Sequence, residues 1–179
     1  MKVKQVLNVL YVVSWIIFVG LCIQAGGYLT NAVFTLVKPE MVKYLWHEAD
    51  LSALFSFSHR HYFGLTLLIG FVASAKAWLF FVIIKMLASK ELNFKQPFVR
   101  QVQRFVLTLS ILSLTIGLLS SSGGNYTQWL SARGVTMPDP QSLILGGADV
   151  WIFMAIVLFV VAQLFKRGVE IQNENELTI

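Results

Sequence analysis

A chain of 179 residues that is 56% hydrophobic and only 13% charged, with a mean hydropathy of +0.70, cannot cover a water-facing surface, because soluble domains carry about 25% charged residues. Lipid is therefore its expected solvent. A net charge of +5 would point to nucleic acid in a soluble protein, but here Lys and Arg flank apolar runs, where orientation in a membrane accounts for them. The single cysteine, Cys22, excludes an internal disulfide and any CxxC site.

Lys2 and Lys4 precede an apolar run that begins at Val6. Small residues at Ala25-Gly26-Gly27 imitate a signal-peptide cleavage region. The run is longer than a signal core, however, and Cys22 follows Leu21 rather than a small residue. An uncleaved first span over about 6–27 is the expectation. Gly26-Gly27 offer a place for the helix to loosen; continuation to Leu36 with tilt is the other option.

Residues 38–61 are polar enough to leave the membrane. Pro39 and Glu40 suit the first turn of a short helix over about 39–49. Phe55 and Phe57 alternate with Ser56 and Ser58, which predicts an extended segment over 51–63. Tyr44, Trp46, Tyr62 and Phe63 suit the headgroup level. The second span, about 62–87, carries Lys76 near its middle. Thr66, Gly70, Ala73 and Ala77 recur there at helical spacing, a face that lets membrane helices approach closely.

Residues 89–104, SKELNFKQPFVRQVQR, are short and basic, with a turn at Asn93 and Pro97. Such cations can meet anionic headgroups or an acidic partner, and topology alone explains them equally well. The third span covers about 99–121. Residues 120–124, SSSGG, predict a break, followed by a surface helix over 125–133 that Asn125 caps and Gly134 ends. Met137-Pro138-Asp139-Pro140 is extended. The fourth span, about 143–165, is roughly 23 residues where about 20 suffice to cross. It contains Asp149 and stops at Lys166-Arg167, leaving a polar tail over 166–179.

The expected fold is thus one all-α transmembrane domain, 1–179, built as a bundle of four helices with small outer caps from the first and third loops. With both termini and residues 89–104 inside, Lys2, Lys4, Lys85, Lys90, Lys95, Arg100, Arg104, Lys166 and Arg167 are cytoplasmic, nine of the 14 Lys and Arg. That bias places both termini in the cytoplasm.

Three segments resemble a bacterial family labelled domain of unknown function 2975. The tail AQLFKRGVEIQNENELTI is similar to that family's ending, NFKQPFVRQVQR to its N-PF motif between the second and third spans, and KAWLFFVIIKM to its second span. The resemblance implies a small four-helix protein of the bacterial cytoplasmic membrane with no established activity. It also implies a possible link to cytoplasmic helix-turn-helix regulators, beside which members are encoded.

Lys76 is the sharpest chemical signal, since an ionisable residue mid-span is a functional candidate by default. Asp149 is its natural partner. Counted from Tyr62 and Leu143, the two lie ~21 Å and ~9 Å deep at the helical rise, so contact would need Lys76 to snorkel outward. A packing pair, a Lys capped by carbonyls, an ion pathway and a ligand site are the open readings. His47, His59 and His61 share the first outer loop with Glu48 and Asp50, but Arg60 sits between two of the imidazoles and WHEAD lacks the second His of HExxH, so the loop is expected to be metal-free. Asn93, Pro97 and Phe98 with Arg167, Glu170, Gln172 and Glu174 form a candidate cytoplasmic partner surface. No nucleophile elbow, phosphate loop or carboxylate dyad stands out, so no cofactor and no enzymatic activity are expected. The reading is a sensing or regulatory membrane component, the alternative a small transporter or proton conduit using Lys76 and Asp149.

Overall fold

The computed structural model describes residues 3–44, 49–89 and 100–176. Among these residues there are five α-helices and no strand: α1 (Val3–Val37), α2 (Ser52–Phe57), α3 (His59–Ala88), α4 (Arg100–Ala132) and α5 (Ala148–Glu176), with a 3-10 helix at Pro39–Tyr44. Four of them, α1, α3, α4 and α5, are long and apolar enough to cross a membrane. Lipid offers no hydrogen bonds, so every backbone group at membrane depth must be satisfied inside the protein, and long unbroken helices do this. Gly26 and Gly27 accordingly do not end α1.

Neighbouring helices are antiparallel. Phe18 of α1 meets Phe81 of α3 with ring centroids 6.0 Å apart, while Leu29 lies against Gly70. Likewise Leu68 of α3 packs at Gly123 of α4, and Ser110 of α4 donates to the Ala155 carbonyl of α5 at 2.8 Å. One end of the molecule therefore gathers the start of α1, the end of α3, the start of α4 and the end of α5. The other end holds α2 and the loops around it.

The four long helices form a row rather than a closed bundle. Substantial contact falls on α1 with α3, α3 with α4, and α4 with α5. Burial follows this order: 39% and 33% of the most apolar stretches of α3 and α4 are buried, against 6% and 11% in α1 and α5. Ile16 on α1 and Phe153 on α5 are each 68% exposed, as residues facing acyl chains should be. The expected small face of α3, Thr66, Gly70, Ala73 and Ala77, is buried throughout.

Three sequence expectations are corrected. The segment 51–63 is helical, because the Asp50 carboxylate accepts from Ser52 N (3.0 Å) and Ser52 Oγ (2.6 Å) and turns the chain into α2. Only Ser58 is extended (φ −166°, ψ 120°), and its Oγ caps α3 by accepting from His61 N. α4 runs unbroken through 120–124. Gly123 there marks a close approach: a Cβ would stand 2.7 Å from Leu68 Cδ2 and 2.8 Å from Leu145 Cδ2. Finally, α5 starts at Ala148, not near Leu143.

Candidate functional site

The late start of α5 has a structural cause. α4 ends at Ala132, where Gly134 (φ 84°) takes the left-handed conformation and Val135 N and Gly134 N bond back to the Leu130 and Ser131 carbonyls. This Schellman pattern satisfies the last carbonyls. The chain then descends along α4. Val135, Leu143 and Leu145 are buried, Leu145 sits at Gly123, and the Ala148 carbonyl faces Gly117. From Ala132 down to Gly117 is ~22 Å at the helical rise.

The bottom of this descent is a tight turn. Asp139 Oδ1 accepts from Gln141 N, its carbonyl accepts from Ser142 N, and the Pro140 carbonyl accepts from Leu145 N at 2.9 Å. Ile144 is forced to φ 64°, a conformation that a β-branched residue adopts only under constraint, at about 1–3 kcal/mol. Its carbonyl points away from the turn and accepts from Lys76 Nζ at 2.7 Å. The same Nζ lies 5.5 Å from the centroid of the Trp151 ring. One basic side chain of α3 thus ties the turn and the first stretch of α5 to the row. Without Lys76 the part-buried Ile144 carbonyl would lose its partner, at a cost of about 1–3 kcal/mol.

Asp149 is elsewhere. It lies in the first turn of α5 and is exposed, a placement that suits a carboxylate at a helix N-terminus. Among the described residues Lys76 and Asp149 form no ion pair; Arg167–Glu170 does. The depth comparison, which left a gap between the two, counted helical rise from Leu143, whereas residues 143–147 are not helical. Of the readings open in the sequence, a Lys held by a carbonyl is the geometry found.

At the α2 end, His61 is absorbed into an aromatic cluster. Its Nδ1 and Tyr126 Oη share a hydrogen bond of 2.6 Å, Phe57 stacks on its ring at 6.0 Å, and Trp129 lies 5.6 Å away. The Arg133 guanidinium covers Trp129 at 3.9 Å. His59 points instead at Phe55, edge to face at 4.3 Å. His47 lies outside the described residues. Among the described residues no three His, Cys, Asp or Glu come together as a metal site. Beside this cluster a cavity of about 280 Å³ opens between Asp50, Leu51, Ser52, Phe55 and Tyr62.

At the opposite end, Asn93, Pro97 and Phe98 lie outside the described residues. Arg167, Glu170, Gln172 and Glu174 ride on α5, which continues without a break to Glu176. Arg167 Nη1 meets Glu170 Oε2 at 3.3 Å, with side chains 68% and 44% exposed, a surface pair of small energetic value.

Ile144, Trp151 and Tyr126 hold Lys76 and His61 in place and were not singled out by sequence reasoning. Nothing in a sequence marks a left-handed isoleucine; Trp151 reads as an ordinary member of an apolar span, and Tyr126 as part of a surface helix. A search against protein-family models, curated proteins and solved structures finds no match to this chain.

Proposed function

We propose that this chain is a non-enzymatic, multi-pass component of the bacterial cytoplasmic membrane that senses at its α2 end and signals to a cytoplasmic partner through the other. In this reading both termini and residues 89–104 are cytoplasmic, the 37–58 and 133–147 segments cap the outer face, and the likeness to domain of unknown function 2975 is kinship. A helix-turn-helix regulator is the proposed partner, with no direct contact between this chain and nucleic acid.

The observation that carries the proposal is the continuity of α5. It runs as one helix from Ala148, beside the Lys76-bound turn, to Glu176 in the polar tail. A shift of the turn is therefore passed to Arg167, Glu170, Gln172 and Glu174 without a flexible joint. The contact between α3 and α4 is smaller than that inside the flanking pairs, and the Lys76 tie crosses this seam. The cavity at Asp50, Ser52 and Tyr62 offers an input site at the far end.

The test is affinity capture through an N-terminal tag on membrane-inserted protein. A discrete cytoplasmic partner should be held by the full chain and lost when residues 168–179 are removed, with all four spans still inserted. Capture that survives truncation would place the output elsewhere. Reporter fusions after Gln172 should behave as cytoplasmic and fusions after Ser131 as external; the reverse would overturn the orientation.

A proton or small-ion conduit is the second reading. It draws on Ser113 and Ser120 of α4, whose buried hydroxyls find no partner among the described residues, on a helix adjoining the one that bears Lys76. Proton flux into liposomes that disappears in Lys76→Met would move the conclusion to this reading.

A further inference from the structure

The end of the row that gathers the termini carries a cleft of about 270 Å³ between the last turns of α3 and the first turns of α4. Two cations line it, Lys85 from α3 and Arg104 from α4, together with Gln101. Both cations are exposed, and neither has an ion-pair partner among the described residues. The remaining wall is apolar: Val82 lies one turn deeper than Lys85 on α3, with Met86 and Phe105 beside it. A polar rim of hydrogen-bond donors over an apolar wall matches one kind of molecule, an anion attached to a hydrocarbon body.

We propose that this cleft binds the phosphate headgroup of an anionic phospholipid. The Arg104 guanidinium presents several donors to phosphate oxygens in a planar fork, while Lys85 adds a compact charge. Gln101 contributes an amide donor. The glycerol and first acyl carbons lie against Val82, Met86 and Phe105. Basic pockets between membrane helices are where such headgroups settle. Here the site joins α3 to α4, the seam with the least direct helix contact in the row. A lipid in it would act as a shared wedge between the two helix pairs. The site is independent of the signalling proposal and requires only that the chain spans a bilayer.

The test uses the full chain purified in a neutral detergent, with bound lipids counted by native mass spectrometry during titration with phosphatidylglycerol, with phosphatidylcholine and with inorganic phosphate. Phosphatidylglycerol should fill one site that phosphatidylcholine does not. Inorganic phosphate should fail to displace it, because the apolar wall holds only a lipid. Lys85→Gln with Arg104→Gln should weaken that site by roughly 30-fold, the loss of two membrane-surface cations. Lys166→Gln with Arg167→Gln removes the same charge outside the cleft and should leave binding unchanged. If the first pair compromises folding, Met86→Trp fills the cleft at constant charge and should also expel the lipid. Equal binding of both lipids, equal weakening by the two charge pairs, or unchanged binding in Met86→Trp would overturn the proposal. Displacement by millimolar inorganic phosphate would make it a free-phosphate site instead and overturn the lipid assignment.

Discussion

The two helix pairs of the row are built on the same close-approach principle and differ in what does the approaching. In the α1–α3 pair, a Cβ on Gly70 would stand 2.7 Å from Leu29 Cδ2, the tip of a flexible side chain. In the α4–α5 pair, a Cβ on Gly117 would stand 2.6 Å from Ile152 Cγ1, and also 3.0 Å from Ile152 N and 3.1 Å from the Ala148 carbonyl. A leucine tip can change rotamer; backbone cannot. The first pair is therefore a sliding fit and the second a fixed one. The Ser110 bond to the Ala155 carbonyl adds to that fixity.

Placing one methyl in each pair gives the largest predicted difference. Gly117→Ala should lower stability by about 3 kcal/mol, the upper part of the usual overpacking range, and Gly70→Ala by less than ~1 kcal/mol, since Leu29 yields. Thermal unfolding of both variants in detergent measures this. Equal losses would show that backbone contact does not distinguish the pairs.

Removing the cross-tie comes next. Lys76→Met should cost about 1–3 kcal/mol, the penalty of an unsatisfied buried acceptor. Asp149→Leu should be nearly neutral, and the double variant should equal the sum of the singles, as for sites with no shared partner. Non-additive unfolding energies in this cycle would restore an interaction between the two residues that the geometry denies. Ser110→Ala is expected to lose ~1 kcal/mol, one ordinary hydrogen bond, read as a lower melting temperature. Smallest of all, Arg167→Ala should change stability by no more than ~0.5 kcal/mol, as exposed pairs do. Any loss of partner capture in that variant would then report on the surface itself and not on folding.

The four membrane helices were legible because their signal is local: long apolar runs bounded by Lys85, Arg104 and Lys166-Arg167. The buried face of α3 was legible for the same reason, since Thr66, Gly70, Ala73 and Ala77 repeat at the period of one helix. What escaped depends on neighbours. The SSSGG run reads as a break by composition, yet in lipid the helix is the only way to satisfy those backbone groups, and Gly123 is there to admit Leu68 and Leu145. Ser and Phe alternate over 55–58 as in a strand, but Asp50 has already started a helix. The Lys76 site was half legible. Its cation was evident; its acceptor, a backbone carbonyl of a residue at positive φ, has no sequence signature, so Asp149 and a carbonyl stayed open side by side.

The unbroken course of α5 from Ala148 to Glu176 also sets an angular relation. Each residue of a helix advances the azimuth by about 100°. The direction in which Arg167 and Glu170 project is therefore fixed relative to the side of Ile152 that lies on Gly117. One residue inserted after Phe165 would swing the whole polar tail by roughly a quarter of a turn, while seven would return it almost to its original heading about 10 Å farther out. The compass bearing of the tail, as much as its composition, is thus written into the contact at Gly117.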